Sequence, residues 1–215
     1  MNKTVTIHPH KSIIDVLGPH QYKSSTDFVR EYVNNSFDSE ATRVDILVDR
    51  DQISITDNGC GMSADGLRSF WTPSGSTKAE GGITSKFKRR LIGKFGIGKF
   101  SALTIAKVIE VNSKKDGEYN KVVFDYDKFM EDKGSKHPKW ELPISTPRGI
   151  APEGSMTKII FKCLNKRVTP EKIAARVLDC PIGEDFQVFI NGKRASREVR
   201  YHRKFKGKGL QHDRD

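Results

Sequence analysis

Apolar residues recur at helical spacing from Phe28 to Phe37 and then switch to strict alternation from Arg43 onward. That change of period predicts one amphipathic helix followed by two strands. At about 100° per residue, Phe28, Val29, Tyr32, Val33 and Phe37 share one half of the helix with the small Ser36, while Glu31, Asn35 and Asp38 stack on the other. Val44, Ile46 and Val48 line one face of a strand over 43–49, and a polar break at 49–51 separates it from a second alternating run at 52–56. Two more alternating stretches, 107–112 and 119–126, meet across Lys114-Lys115-Asp116-Gly117 and predict a hairpin. Strands are also expected at 155–164 and 186–190, and a helix at 170–179 with Thr169 as N-cap and Pro170 in its first position. Residues 131–153, interrupted by proline and glycine and lacking periodicity, read as a surface excursion. No internal repeat is visible. Together these elements predict a two-layer α/β sandwich with a mixed, mostly antiparallel sheet covered by helices on one face.

The polar stripe of the first helix gives that scaffold a candidate chemistry. Two carboxylates and an amide in a row suit a hydrated Mg²⁺ with phosphates behind it, although an ordinary solvated helix face has the same composition. The residues downstream decide between the two. The strand at 52–56 runs into Asp57-Asn58-Gly59-Cys60-Gly61-Met62, where Asp57 presents an acceptor fixed by the sheet and the glycines allow a tight turn close to a flat ligand. Some forty residues on, Gly93-Lys94-Phe95-Gly96-Ile97-Gly98-Lys99-Phe100 leads into an apolar, helical stretch, and backbone N–H groups at such a loop form an anion site. The string nearly matches the P-loop pattern, but Phe100 stands where a hydroxyl would hold the metal, and the charged run 85–90 is no buried strand.

In order and spacing, these three blocks resemble the ATP-binding domain shared by DNA gyrase, the heat-shock chaperones, sensor histidine kinases and mismatch-repair ATPases, the GHKL superfamily. The similarity covers roughly 24–192, and the wording around Ser74-Gly75-Ser76-Thr77-Lys78 and over 92–102 is closest to the heat-shock chaperone branch. The resemblance implies the Bergerat-type ATP-binding fold with ATP as ligand and substrate and Mg²⁺ as cofactor. It casts Glu31 as the general base that activates water and Asn35 as the Mg²⁺ ligand, with Asp38 in support. Asp57 would accept from the adenine amine, Gly61 would add a water-linked contact, and Met62 would pack on the base. The amides of Gly96, Ile97 and Gly98 would cradle the phosphates, with Lys78 and Lys99 close by. Thr157, opening the strand after Gly154-Ser155-Met156, would supply a hydroxyl that bonds toward the adenine-binding aspartate. Histidine kinases generally carry Asn at the position of Glu31, so Glu31 favours hydrolysis. In the hydrolytic branches a Lys or Arg from a following domain or partner reaches the γ-phosphate, so the chain by itself is expected to bind ATP and turn it over weakly as a conformational switch; a nucleotide sensor with negligible hydrolysis and an ATP-latched nucleic-acid-binding module are the alternative readings.

Composition bounds the rest. A chain of 215 residues with 35% hydrophobic and 30% charged residues is globular. No apolar run approaches the roughly 20 residues of a membrane span, and Met1 to Gly18 lacks the apolar stretch of a signal peptide. Cys60, Cys163 and Cys180 are odd in number and far apart, which fits reduced thiols in the cytoplasm. The net charge of +11 is local: residues 78–99 hold seven Lys/Arg against one Glu, and residues 191–215 hold nine against three acids. The first cluster falls in the segment 74–99 that the family uses as a lid, facing triphosphate. The second makes 193–215 a basic tail, read either as a linker to a further domain or as a nucleic-acid contact. Residues 1–23 form an N-terminal segment of unassigned role, and a homodimer is compatible with the resemblance.

Overall fold

The computed structural model describes residues 4–7, 24–71, 82–93, 98–131, 140–147 and 151–197, with backbone alone at 4–7, 98–100 and 140–141. Its strands are β1 (Thr4–Ile7), β2 (Arg43–Val48), β3 (Gln52–Asp57), β4 (Ala106–Lys115), β5 (Glu118–Asp125), β6 (Trp140–Pro143), β7 (Met156–Leu164), β8 (Gln187–Ile190) and β9 (Lys193–Arg194). Four α-helices, α1 (Asp27–Asp38), α2 (Ala64–Trp71), α3 (Tyr126–Glu131) and α4 (Pro170–Val177), and a 3-10 helix (Gly98–Thr104) complete the described elements.

Seven strands form one sheet in the order β5-β4-β7-β3-β2-β8-β9, and every pairing except the parallel β2–β8 is antiparallel. The alternation that marked the strands sorts their side chains. Val44 and Ile46 of β2, Ile53 and Ile55 of β3, Ile109 and Val111 of β4, and Ile159 and Phe161 of β7 all point into the helical layer and are buried. Against them α1 lays Phe28 and Tyr32, whose rings each meet Phe161 edge-on at 5.0 Å between centroids. Each such pair adds about 0.5–1.5 kcal/mol beyond the area it buries. A second aromatic group closes the other end, with Trp71 of α2 stacked on Phe124 at 5.3 Å and Phe124 tilted on Phe129.

Several elements differ from expectation. The hairpin strands run longer and turn at Asp116-Gly117, both left-handed (φ 50° and 80°). The 131–153 stretch contains β6, which pairs with β1 from Thr4↔Pro143 to Ile7↔Trp140 in a separate two-stranded sheet. A four-residue strand with proline at its end carries too little alternation to be seen, and its partner is over a hundred residues away. Helices α2 and α3 are too short to have been expected, although Ala64, Leu67 and Trp71 of α2 recur at helical spacing and are buried, and the apolar stretch after the glycine-rich loop winds as a 3-10 helix. For α4 the N-cap reading holds: Thr169 accepts from the Lys172 amide, with Pro170 behind it.

Candidate functional site

Helix α1 is the spine of the site. On its apolar half Phe28, Val29, Tyr32, Val33 and Ser36 are buried and Phe37 partly so, while Glu31 and Asn35 lie half-buried on the opposite stripe, one turn apart. Glu31 keeps 31% of its side chain exposed and meets the Arg30 guanidinium at 3.6 Å. A carboxylate and an amide oxygen so placed are open to water and to a cation.

Asp57 sits at the end of β3 with 8% exposure. Its Oδ2 accepts from Ser36 Oγ at 3.0 Å and its Oδ1 from the Gly59 amide at 2.9 Å. Burial pushes its carboxyl up to about 6, opposed by hydrogen bonds from Gly59, Ser36 and the Thr157 backbone. Ser36 belongs to α1, so one hydrogen bond fixes the buried carboxylate relative to the helix that carries Glu31 and Asn35. The sheet fixes the rest: Asp57 pairs with Thr157, and Thr157 in turn with Ser113, so the three residues form one row across β3, β7 and β4. The Thr157 hydroxyl lies 3.0 Å from Ser113 Oγ. Expected to bond, partly through water, to Asp57, it makes its direct contact with Ser113, while the Thr157 backbone donates to the aspartate.

Gly61 has a role inside the protein that the motif did not announce. Its φ is +63°, and a Cβ there would stand 1.9 Å from the Lys114 carbonyl oxygen. The turn therefore closes against β4 only because this residue is glycine. Met62 packs partly buried against the core while its amide donates to Ser113 Oγ at 2.8 Å.

Three charged side chains tie residues 82–93 to the C-terminal end of α1. Both Asp38 oxygens are occupied, Oδ1 by the Ile92 amide and Oδ2 by the Gly93 amide, each at 2.9 Å. Asp38 thus anchors the backbone just before the glycine-rich loop. Glu40, left-handed at φ 61° just past the helix end, accepts from the Lys86 and Phe87 amides. Partial burial opposes its ionisation, but those hydrogen bonds prevail and hold its carboxyl below the usual range. Arg89, counted among the cations facing triphosphate, points elsewhere. It donates to the carbonyls of Phe37 (3.2 Å), Ala41 (2.6 Å) and Asp185 (2.9 Å), and its guanidinium lies over Phe37 and Phe87. Three of its five N–H donors go to main-chain carbonyls and its plane is held by rings, which ties this guanidinium to the fold.

Lys78, Gly96 and Ile97 lie outside the described residues, and Gly98 and Lys99 are placed by backbone alone, at the start of the 3-10 helix. The basic tail beyond 197 is likewise outside them. Among the described residues no helix is long and apolar enough to cross a membrane. Ser36, Ser113, Glu40 and Arg89 were not singled out by motif. Ser113 did leave a trace, a hydroxyl in the inward series Ile109, Val111, Ser113 where alternation calls for an apolar residue.

The mixed, mostly antiparallel sheet with helices on one face is consistent with the α/β fold of GHKL-type ATPase domains. The family model for histidine kinase-, DNA gyrase B- and HSP90-like ATPases matches residues 22–157, more than half of the chain, and the chain belongs to that family. Among curated proteins, "Putative type II restriction enzyme HgiDII" of Herpetosiphon aurantiacus is 35% identical over 96 residues, covering 45% of this chain and 16% of that protein. The chaperone protein HtpG of Psychrobacter arcticus is 36% identical over 122 residues, covering 45% and 19%. HtpG of Paramagnetospirillum magneticum is 29% identical over 131 residues, covering 49% and 21%. The aligned part of this chain spans about a fifth or less of each of these relatives.

Proposed function

We propose that this chain binds Mg·ATP on the helical side of its sheet and hydrolyses it slowly, as a switch module of a longer protein whose ATP-binding unit is 24–192. One observation carries the reading: the Ser36–Asp57 hydrogen bond locks a buried acceptor to the helix whose open stripe bears Glu31 and Asn35. In this reading Asp57 accepts from the adenine amine. Glu31 orients the attacking water and takes its proton as the oxygen bonds to the γ-phosphorus and ADP leaves. The donor chemistry of Asn35, a neutral hard oxygen beside a carboxylate, fits Mg²⁺, an ion that keeps several waters and takes few protein ligands. Bound there, the ion would neutralise phosphate charge. Asp38 supports the site through the backbone of Ile92 and Gly93, with which it bonds directly.

The test is Glu31→Ala. Calorimetry should show ATP still bound, while turnover falls by about 10²–10⁴-fold. Hydrolysis at the parent rate would remove Glu31 from its role.

A further inference from the structure

The hydroxyl of Ser113 is entirely enclosed, with no exposed surface, and sits at the centre of the turn, β4 and β7. Three groups converge on it: the Met62 amide at 2.8 Å, the Met156 carbonyl at 2.9 Å and the Thr157 hydroxyl at 3.0 Å. A serine hydroxyl has one proton and two lone pairs. The amide can only donate and the carbonyl can only accept, so the serine proton goes to Met156 and one lone pair to Met62. The remaining lone pair faces Thr157, whose own proton must then point at Ser113. Thr157 is left with lone pairs alone.

We infer that Ser113 is a positioning residue for base selectivity: by holding the Thr157 proton, it makes Thr157 a pure acceptor in the row next to Asp57. This rests on the proposed ATP site and deepens it. Asp57, ionised, is also an acceptor, so two adjacent strands place acceptor side chains next to each other. A purine bearing an amino group there finds partners for its N–H donors. One bearing a carbonyl meets oxygen lone pairs, and a buried acceptor without a donor is a strong discriminant. In this row the sheet register sets the spacing and Ser113 sets the polarity.

ITP replaces the amino group of ATP by a carbonyl, which makes it the probe. The full chain should bind ATP well ahead of ITP in calorimetric titrations. Ser113→Ala releases the Thr157 proton to swing toward the incoming base, and the ATP-over-ITP preference should fall about tenfold. Ser113→Thr keeps a hydroxyl at the same place and should restore it. Thr157→Val, which leaves Ser113 intact, should also reduce the preference. In the Thr157→Val background Ser113→Ala should change the preference no further, since its effect runs through the Thr157 proton. A merely structural serine would lower the affinity for both nucleotides together and leave their ratio alone. An unchanged ratio in Ser113→Ala, or additive losses in the double variant, overturns the inference. A parent that binds neither nucleotide overturns the ATP site itself, which is a different result.

Discussion

Asp57→Asn should make the nucleotide-free protein more stable while weakening the site. Burial moves the Asp57 carboxyl from 3.8 to about 6. At about 1.4 kcal/mol per pH unit, holding the ionised form inside the fold costs roughly 3 kcal/mol near neutral pH. The sign follows from proton counts: between about pH 4 and 6 the folded state binds the proton more tightly than the unfolded chain, so stability falls as pH rises through that window. Two of the three groups that donate to the carboxylate, Ser36 and Gly59, can accommodate an amide. Ser36 Oγ lies within reach of both Tyr32 O (3.1 Å) and Asp57 Oδ2 (3.0 Å), so its proton can go to Tyr32 while it accepts from the asparagine Nδ2. The asparagine Oδ1 keeps the Gly59 amide. The variant should therefore gain about 1–3 kcal/mol at about pH 8, a rise in melting temperature of up to about 10 °C for a domain of this size. Near pH 4 the two proteins should converge, because the parent then carries the proton. Thermal melts of both across that range decide it. A variant less stable than the parent at the alkaline end, or a gap that does not change with pH, would refute the reasoning. ATP binding should weaken in the same variant, since an amide nitrogen cannot accept from the adenine amine.

Gly61→Ala should destabilise by roughly 2–4 kcal/mol in urea unfolding, since the new Cβ meets the Lys114 carbonyl at 1.9 Å and φ is +63°; unchanged stability would show that the turn can move away from β4. Arg89→Lys should cost about 2–4 kcal/mol, because a point-charge ammonium cannot serve three separated carbonyls and an aromatic stack at once. Were Arg89 a phosphate contact instead, the lysine would preserve stability and only ATP affinity would change.

Local patterns carried most of the layer architecture. The period change at Arg43 and the alternation in β2, β3 and β7 follow directly from which side chains face α1, so the helix and those strands are legible one residue at a time. Elements held by distant partners are not. The β1–β6 pair joins residues from opposite parts of the chain, and no local period announces it. The same division runs through the site. Asp57, Glu31 and Asn35 stand in recognisable blocks. Arg89 looked like any other lid cation because its acceptors are main-chain oxygens, which no sequence pattern marks. The direction of the Thr157 hydroxyl depended on Ser113, forty-four positions away.

Calorimetric titration of Mg·ATP into the full chain, with GTP as the comparison, tests the central claim most directly. A site that reads an amine with a buried carboxylate predicts saturable ATP binding, lost on chelating the metal or in Asp57→Ala, and clearly weaker binding of GTP. No saturable ATP signal, or equal affinity for the two nucleotides, would contradict it.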